Sequence, residues 1–343
     1  MKRLLNTLYI TTPGTYLARE NETVVVRHEG EVKLRVPVRG LCGIVCFGRV
    51  GCSPQLMGLC AQNGIAISFL SSYGRYWARV QGPVSGNVLL RREQYRRADH
   101  PEAAAEVTRD LLLGKVANAR AVLQRAVRDH PQSPGTQQIA EAGERLRLVL
   151  KALAQPVSVD TARGYEGEAA RAYFSAFDHL ITAQKDEFHF SYRNRRPPLD
   201  RVNALLSFLY SLLVHDTAAA LECVGLDPAV GFLHRDRPGR PGLALDLMEE
   251  QRSFVADRLV LSLINRWQVR PEGFEVTETG AVQMDDATRK VVLTAYQSRK
   301  QEEIEHPFLG EKIPVGLISH VQAMLLARYL RGDLDAYPPF LWK

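Results

Sequence analysis

The chain has 343 residues, of which 45% are hydrophobic and 24% are charged, as in an ordinary soluble globular protein. A chain of this length can bury a substantial core and is expected to form roughly two domains. Its 44 basic and 38 acidic side chains leave a net charge of +6. This excess is compatible with a polyanionic partner, but it does not separate nucleic-acid-binding proteins from other classes.

The sequence shows no sign of export or of a membrane-spanning segment. The N-terminal MKRLLNTLYITTPGTY contains basic residues but no apolar run of signal-peptide length. No uninterrupted apolar segment approaches the ~20 residues needed to cross a bilayer. The five cysteines form neither a CxxC pair nor a zinc-ligand spacing, which favours reduced thiols in the cytosol. We therefore expect a cytoplasmic protein without a membrane partner.

The first eighty or so residues are typical of short β-strands. Segments rich in β-branched residues and separated by PG, EN, EG and RG turns predict five strands, LYITT, TYLARE, TVVVRHE, VKLRVPV and GIVCF. A helix is predicted over 53–63, with Ser53 as its N-cap, Pro54 in its first turn and Gly64 after its end. The strand AISFL follows. We expect a β-rich domain over residues 1–85 with no active site.

The rest of the chain is predicted to be chiefly helical. Glycine and proline between residues 73 and 95 indicate turns, so a linker and basic helix are assigned to 86–97 and a helical domain to 98–343. Apolar spacing predicts helices over 101–128, 137–154, 160–180 and 198–225. A helix through SFVADRLVLSLINRW, a hairpin over 274–284, two more helices and the tail YPPFLWK complete the chain. The predicted class is α+β, a small N-terminal β-rich domain followed by a larger all-α domain.

Glu166 is a candidate site residue because of its place on a predicted helix. It lies on the same stripe as the apolar residues of that helix, which are Ala169, Ala170, Tyr173, Phe174 and Phe177. A carboxylate that faces the interior is costly unless it is paired, hydrogen-bonded or metal-bound. Gly164 and Gly167 beside it suggest the close approach of another backbone or a ligand. The alternative is a buried ion pair between Glu166 and an arginine.

The segment 231–252, GFLHRDRPGRPGLALDLMEEQR, is the second candidate. It begins as a loop that contains His234 and ends in the first turns of a helix. Asp246, Glu249 and Glu250 are spaced so that a helix places them on one face. With the histidine, they would form a site for a hard cation that also holds anionic oxygens. The alternatives are a surface or capping histidine and carboxylates on a solvated helix face.

Three segments in this order resemble the helical-domain signatures of one family, GYEGEAARAYF, PPLDRVNALLSFLYSLL and GFLHRDRPGRPGLALDLMEEQR. It is the family of the first CRISPR-associated (Cas) protein, the integrase-endonuclease of spacer acquisition. The resemblance covers essentially the whole chain, because a strand-rich start followed by a helical domain is also that family's architecture. The tail is similar to that of the subtype C branch of type I systems. The resemblance implies that the helical domain is the catalytic one.

The resemblance further implies a divalent-metal site for Mg²⁺ or Mn²⁺ in the helical domain. Its ligands would be Glu166, His234 and Glu249, with Asp246 as a nearby auxiliary ligand. Some members of the family have aspartate where this chain has Glu249, and Glu250 is expected to be a supporting or solvated residue. The metal would assist the attack of a 3′-hydroxyl on a DNA phosphodiester, or the attack of water in a nuclease reaction.

Three basic clusters are candidates for contacts with DNA phosphates, with a solvated surface as the alternative for each. The first surrounds the expected metal site and consists of Arg235, Arg237, Arg240 and Arg252. The second comprises Arg91, Arg92, Tyr95, Arg96 and Arg97, and the third Arg193, Arg195 and Arg196. The middle signature contains the polar residues Asn203, Ser207 and Tyr210. They are expected either to hydrogen-bond to the metal-bearing helices or to take part in helix packing.

The resemblance also implies partners for the chain. These are double-stranded DNA, as protospacer and as CRISPR repeat, a second copy bound through the β-rich domain, and the second, smaller Cas adaptation protein. Two other functions remain open from the residues alone. One is a structure-specific nuclease that acts on branched DNA at the same metal site. The other is a non-enzymatic, basic DNA-binding helical scaffold in which the carboxylates are merely paired.

Overall fold

The computed structural model describes residues 7–41, 43–71, 76–80, 82, 87–195 and 197–342. The chain divides into two compact units, Met1–Gly86 and Asn87–Lys343. The first is β-rich and the second is mostly helical. The predicted α+β class is thereby confirmed.

Within its described residues, the first unit contains two four-stranded sheets. One sheet has the order β4 (Glu31–Pro37), β3 (Thr23–His28), β2 (Tyr16–Glu20) and β6 (Gly51–Cys52). The other has the order β1 (Thr7–Ile10), β5 (Gly43–Phe47), β7 (Ala66–Leu70) and β8 (Tyr76–Val80). Strands β1, β5 and β7 are parallel to one another, and β8 is antiparallel to β7.

Among the described residues of this unit, the α-helix α1 (Pro54–Gln62) follows the predicted capping pattern. The hydroxyl oxygen of Ser53 accepts a hydrogen bond from the backbone N–H of Leu56 at 3.2 Å. Gly64 has a φ of 66°, a conformation that glycine adopts without strain. Apolar side chains from both sheets and from α1 form a common core that includes Leu17, Val24, Ile44, Leu56 and Ile67.

Strand β8 corrects the predicted linker over 73–95. Residues Tyr76–Val80 pair with β7 instead of forming a turn. The glycines on either side, Gly74 and Gly82, hid this short strand in the sequence pattern. The linker prediction also covered residues 73–75, 81 and 83–86, which lie outside the described residues.

The second unit is built mainly from helices. They are α2 (Val88–Asp99), α3 (Pro101–Asp129), α4 (Thr136–Leu153), α5 (Val159–Ser175), α6 (Arg201–Val224), α7 (Gly242–Gln251), α8 (Arg258–Asn265), α9 (Asp286–Gln301) and α10 (Ile318–Leu330). Helix α3 packs against α4, α5 and α7, and α6 packs against α7 and α10. A π-helical segment, Arg252–Asp257, connects α7 to α8. Wide turns of this kind occur frequently at functional sites.

Three helix ends differ from the sequence prediction. Helix α5 is capped by Ser158, whose hydroxyl accepts from the backbone N–H of Thr161, so Asp160 lies inside the first turn. The regular helix stops at Ser175, and a short 3₁₀ helix, Phe177–Leu180, follows. Helix α6 begins at Arg201 with Asp200 as its cap rather than at Pro198. At both N-termini the structure uses a residue whose side chain accepts a hydrogen bond from a free N–H group of the first turn.

Two small hairpins accompany the helices, so the second unit is not all-α. The predicted hairpin over 274–284 is confirmed as β9 (Phe274–Val276) and β10 (Val282–Met284). A second hairpin, β11 (Glu303–His306) and β12 (Glu311–Pro314), lies between α9 and α10. Its strands, EIEH and EKIP, are short, half of their residues are charged, and their sequences resemble loops.

By length and composition alone, helix α6 is long and apolar enough to cross a membrane. In its most apolar window, 61% of the residues are buried inside the protein. The buried side chains of α6 include Val202, Leu205, Leu209, Leu213 and Leu221, as expected for the central helix of a folded core.

Candidate active site

Helix α5 lies against the loop that carries His234. The guanidinium of Arg163 donates from Nε to the carbonyl oxygen of Leu233 at 2.8 Å. Near the start of α5, Asp160 forms an ion pair with Arg235 at 3.2 Å. These two contacts bring the turn of α5 before Glu166 next to the histidine loop. The tertiary structure thus draws together two of the segments that the sequence analysis selected.

Asp246 on α7 holds the histidine loop in place. Its Oδ2 accepts from the backbone N–H of Phe232 at 2.6 Å and of Leu233 at 3.0 Å. Its Oδ1 accepts from the backbone N–H of His234 at 3.0 Å and lies 2.5 Å from the Nδ1 of the same ring. A Cβ on Gly231 would lie 2.6 Å from Oδ2 of Asp246, so only glycine permits this close approach.

The Asp246 contact determines how His234 can act. A carboxylate accepts but does not donate, so the Nδ1 of His234 carries the proton and its Nε2 keeps a lone pair. Metal-binding histidines in proteins are usually oriented by such a carboxylate on the second ring nitrogen. Because both oxygens of Asp246 are already engaged, we assign Asp246 to orienting His234 rather than to direct coordination.

Glu249, one turn further along α7, is almost completely buried, with 2% of its side chain exposed. Its Oε1 lies 2.8 Å from Nη1 of Arg252, and its Oε2 lies 2.9 Å from Nζ of Lys115. Burial raises its pKa, but the charges of Arg252 and Lys115 outweigh burial and lower the pKa to about 2. Glu249 is therefore a carboxylate anion at neutral pH, and its burial contradicts the alternative of a solvated helix face.

Lys115 on α3 connects the two predicted ligands. Its ammonium group also donates to Oε1 of Glu166, whose side chain is about one-third exposed. Burial alone would lower the pKa of Lys115, but Glu249 and Glu166 raise it above its ordinary value. The alternative of a buried ion pair with an arginine is therefore correct only in the ion pair, because the partner is a lysine and Glu166 is partly exposed. Lys115 was missed because nothing in the local pattern of α3 distinguishes it from a surface lysine.

The glycines that flank Glu166 do not pack closely against another backbone. A Cβ at Gly164 would meet no heavy atom within 4 Å, and one at Gly167 would meet only the tip of Arg171, at 3.8 Å. No backbone of another described segment approaches either glycine. The predicted close approach of another backbone is therefore wrong, and the approach of a ligand stays a prediction.

A cavity of about 770 Å³ opens beside the two carboxylates within the second unit. Its volume is in the range of small-molecule and cofactor sites. The charged and polar groups on its wall include Lys115, Glu166, Arg171, Arg193, Arg195, Ser207, Tyr210, Glu249, Arg252 and Asp257. The wall thus combines three carboxyl side chains with five cationic ones. Such a surface can hold a metal ion and an anionic group side by side.

Tyr210 stands between two arginines on this wall. The guanidinium carbon of Arg252 lies 4.8 Å from the ring centroid and that of Arg193 lies 5.3 Å from it. Arg193 also donates to Oδ1 of Asn203 at 2.6 Å and to the hydroxyl of Ser207 at 3.0 Å. Asn203 and Ser207 therefore hold Arg193 in place and do not reach across to the metal-bearing helices. Arg196, in the same predicted cluster, lies outside the described residues.

The other predicted DNA-contact arginines lie away from the cavity wall. Arg235 and Arg237 are exposed on the histidine loop, and Arg240 is partly buried there. Arg91 and Arg92 lie on α2, whose Gln94 and Tyr95 side chains bond to the segment that precedes the histidine loop, Asp227–Val230. Of the first cluster, the structure brings only Arg252 to the described wall of the cavity.

Glu250 faces away from the cavity that Glu249 lines and is fully buried. Its oxygens accept from the hydroxyl of Tyr337 at 2.7 Å, the backbone N–H of Phe340 at 2.9 Å and Nε2 of Gln322 at 2.9 Å. Burial raises its pKa to about 8 against the lowering effect of these hydrogen bonds. The supporting role expected for Glu250 fits this position, whereas the solvated alternative does not.

Asn118 on α3 completes the attachment of the C-terminal tail. Its Nδ2 donates to the carbonyl oxygens of Glu250 at 2.7 Å and Phe340 at 2.8 Å, and its Oδ1 accepts from the N–H of Trp342 at 2.7 Å. The ring of Phe254, in the π-helical segment, stacks on Phe340 and Trp342. The tail therefore supports α7 from behind the carboxylates.

Asp257 yields a prediction about pH. It accepts from the hydroxyl of Tyr210 at 2.6 Å, and burial raises its pKa to about 6. The folded-state pKa of Asp257 exceeds the ordinary value of 3.8. The contribution of Asp257 to stability is therefore complete below pH 3.8 and is lost as the pH rises through about 6. In Asp257→Asn this loss should be absent. We expect the free energy of unfolding of the wild type to fall relative to the variant by roughly 2–3 kcal/mol between pH 4 and 7.

Urea unfolding at half-unit pH intervals measures this difference. Asp99→Asn, at an exposed position on α2, serves as the control and should parallel the wild type at every pH. Parallel curves for wild type and Asp257→Asn would contradict the assignment of a raised pKa to Asp257.

Two carboxylates and an oriented histidine form a donor set suited to Mg²⁺ or Mn²⁺. In the present arrangement, no three His, Cys, Asp or Glu side chains of the described residues are grouped closely enough to hold a metal ion. However, Oε2 of Glu249 is buried without a hydrogen bond of good geometry and has the Lys115 ammonium beside it. The site thus already places a positive charge between Glu166 and Glu249. Glu166, Glu249 and His234 therefore fit a divalent cation in chemistry and in electrostatics.

Comparisons with known proteins identify the family of the chain. The chain matches the model of the family described as CRISPR associated protein Cas1 over residues 8–298. It is 56% identical over 343 residues, all of both chains, to a protein of Chlorobaculum tepidum named CRISPR-associated endonuclease Cas1 1.

Solved structures share the fold at low sequence identity. A casposase bound to an integration product superposes with a TM-score of 0.84 at 21% identity, over 98% of this chain and 94% of that one. A chain of a Cas6-RT-Cas1–Cas2 complex superposes with a TM-score of 0.81 at 20% identity, over 98% of this chain and 36% of that one. The family model matches most of the chain, and the Chlorobaculum tepidum relative is similar along its full length. This protein therefore belongs to the CRISPR-associated protein Cas1 family.

Proposed function

We propose that this protein is a divalent-metal-dependent DNA endonuclease and integrase, which inserts protospacer DNA into a CRISPR array during spacer acquisition. The observation that carries the proposal is the convergence of Glu166 and Glu249 on one cavity, beside the loop in which Asp246 holds His234. The full-length relative named an endonuclease supports the same class of activity. The proposed reaction is the attack of a 3′-hydroxyl, or of water, on a phosphodiester.

Each residue of the site has a defined part in that reaction. A Mg²⁺ or Mn²⁺ ion held by Glu166, Glu249 and His234 would supply Lewis acidity for deprotonating the attacking hydroxyl and stabilising the phosphate oxygens. Glu249 remains ionised because Arg252 and Lys115 lie against it. Asp246 keeps the lone pair of His234 on Nε2.

The cations of the cavity wall are the proposed holders of the phosphate. Arg193 and Arg252 are fixed by their contacts with Tyr210, and Arg171 and Arg195 lie on the same wall. A phosphodiester bound there gains charge-assisted hydrogen bonds without any reading of base sequence. We assign the exposed Arg235 and Arg237, together with Arg240, to neighbouring phosphates of the duplex. Arg91 and Arg92 on α2 remain candidates for a more distant contact.

The proposed partners follow from the family. They are double-stranded DNA, a second copy of this chain bound through the β-rich unit, and the smaller Cas2 protein. A protein of the same fold has been solved with an integration product, and another within a Cas1–Cas2 complex, which supports DNA and Cas2 as partners. We propose a cytoplasmic location for this assembly.

Asp246→Asn tests the orientation of the histidine. The amide retains one acceptor oxygen but replaces the other by an NH₂ group, which cannot accept from the loop N–H groups or the ring. Loss of such a supporting carboxylate typically costs about 10–100-fold in metal affinity or activity, and we expect that range here. The measurement is Mn²⁺-dependent DNA cleavage over a metal titration. An unchanged titration curve would show that Asp246 does not act through His234.

A strand-transfer assay tests the proposed function itself. It combines a labelled DNA donor bearing 3′-hydroxyl ends, a plasmid or linear target that contains a repeat, Cas2, and Mn²⁺ or Mg²⁺. We expect a joined donor–target product that requires both the metal and the 3′-hydroxyl. A donor with 3′-dideoxy ends is the matched control and should give none.

The assay also separates the alternatives. Metal-dependent cleavage of branched DNA with no joined product would favour a structure-specific nuclease at the same site. DNA binding without metal-dependent cleavage or joining would favour a non-enzymatic scaffold. The buried, ionised pair around Lys115 argues against the scaffold, because burying charges is costly and a purely structural role could use apolar residues.

A further inference from the structure

Lys115 has a position that the proposed reaction does not explain. Its ammonium lies within ion-pair distance of one oxygen of Glu166 and one oxygen of Glu249, the two carboxylates assigned to the metal. The other oxygen of Glu249 is taken by Arg252. A divalent cation bound by Glu166 and Glu249 would therefore draw on the oxygens that Lys115 now contacts.

Two cations cannot occupy this place together at low energetic cost. An ammonium and a divalent ion a few ångströms apart repel each other strongly, more so in a buried site than in water. The two carboxylates would also repel each other in the absence of any cation between them, since Glu249 is shielded from solvent. The Lys115 ammonium thus stabilises the two carboxylates, and a metal ion that binds them must displace the ammonium.

We propose that Lys115 is an internal cation that holds Glu166 and Glu249 together and competes with the catalytic metal for them. This inference rests on the metal dependence proposed above. When the metal binds, the lysine side chain leaves the carboxylates and turns into the adjoining cavity, where it meets the phosphate. Lys115 is therefore a positioning residue of the metal site.

The surroundings of Lys115 allow such a movement of the side chain alone. The backbone of α3 is held on both sides, because Gly114 packs against Glu250 and Pro339, where a Cβ would lie 3.0 Å from each, and Val116 is buried. The side chain of Lys115 lines the cavity of about 770 Å³. A lysine, with a point charge on a flexible four-carbon stem, can exchange one anionic partner for another in a way that a planar guanidinium cannot.

The test compares Mn²⁺ binding by the full-length wild type, Lys115→Met and Lys151→Met, with electron paramagnetic resonance of free Mn²⁺ as the readout. Lys151 is exposed on α4 and provides the control. We expect Lys115→Met to bind Mn²⁺ about tenfold more tightly than the wild type, because the metal no longer displaces a resident charge. In EDTA the same variant should unfold at a lower temperature than the wild type. Mn²⁺ should raise the unfolding temperature of the variant by more than it raises that of the wild type.

A second measurement uses the wild type and does not depend on the folding of a variant. Lysine reactivity towards an acylating reagent is read by mass spectrometry in EDTA and in Mn²⁺, with Lys151 as the internal reference. Lys115 should be protected in EDTA and become several-fold more reactive in Mn²⁺, while Lys151 does not change.

The outcomes distinguish the two proposals. If the wild type binds no Mn²⁺ at all, both the metal-dependent function and the competition are overturned. If the wild type binds Mn²⁺ but Lys115→Met binds it equally or more weakly, or if the reactivity of Lys115 does not respond to Mn²⁺, the competition alone is overturned. A merely structural lysine would lower the unfolding temperature equally with and without metal.

Discussion

Glu166→Gln is expected to lower metal-dependent DNA cleavage and strand transfer by at least about 100-fold. Changes in groups that only support a metal ligand cost about 10–100-fold, so replacement of a ligand should cost more. Glutamine preserves the length and shape of the side chain but removes the negative charge that Lys115 contacts and the metal requires. Because Glu166 is partly exposed, the fold should tolerate this change. The measurement is the initial rate of both reactions at saturating Mn²⁺.

Glu168→Gln is the matched control for this experiment. Glu168 is on the same helix, two residues further on, and is exposed to solvent. The same chemical change at that position should leave both rates within about twofold of the wild type, since surface charges contribute little. Equal losses in the two variants, or full activity of Glu166→Gln, would remove Glu166 from the proposed site.

Glu250→Ala is expected to destabilise the protein by about 3–4 kcal/mol. The change removes the acceptor of two buried donors, the Tyr337 hydroxyl and the Phe340 N–H, and each unsatisfied donor costs about 1–3 kcal/mol. Gln322 also loses one acceptor but keeps the carbonyl oxygen of Pro338. It also leaves a void against Gly114, which packs closely on the Glu250 side chain. Relief of the burial of a carboxyl group offsets part of this loss. Urea unfolding at pH 7 measures the difference.

The tail should respond together with Glu250. In Glu250→Ala, limited proteolysis should cut the segment around Pro338 earlier than in the wild type, because its anchor on α7 is lost. Glu278→Ala, at an exposed position in the turn between β9 and β10, should change neither the unfolding free energy nor the cleavage pattern. A loss below about 1 kcal/mol for Glu250→Ala would show that the tail is held by the aromatic stack and Asn118 alone.

The sequence by itself was sufficient for the local elements whose signals lie within a few residues. Alternating and β-branched residues predicted the main strands of the first unit, and the order serine, proline and glycine predicted both ends of α1. The long helices followed from apolar spacing, as in α3 and α4. Strand β8 and the hairpin β11–β12 were missed because these short segments are stabilised by pairing with a neighbouring strand rather than by their own pattern.

For the candidate site, the sequence determined which residues share a helix face, and the tertiary structure decided what those residues contact. The stripe on α5 indicated that Glu166 faces inward, but not that its partner is Lys115 on another helix. The spacing of Asp246, Glu249 and Glu250 suggested one shared function. The structure instead gives them three: orienting His234, facing the cavity and anchoring the tail. Helical periodicity reports the direction of a side chain relative to its own helix axis, whereas its charge state and role depend on groups that only folding brings within a few ångströms.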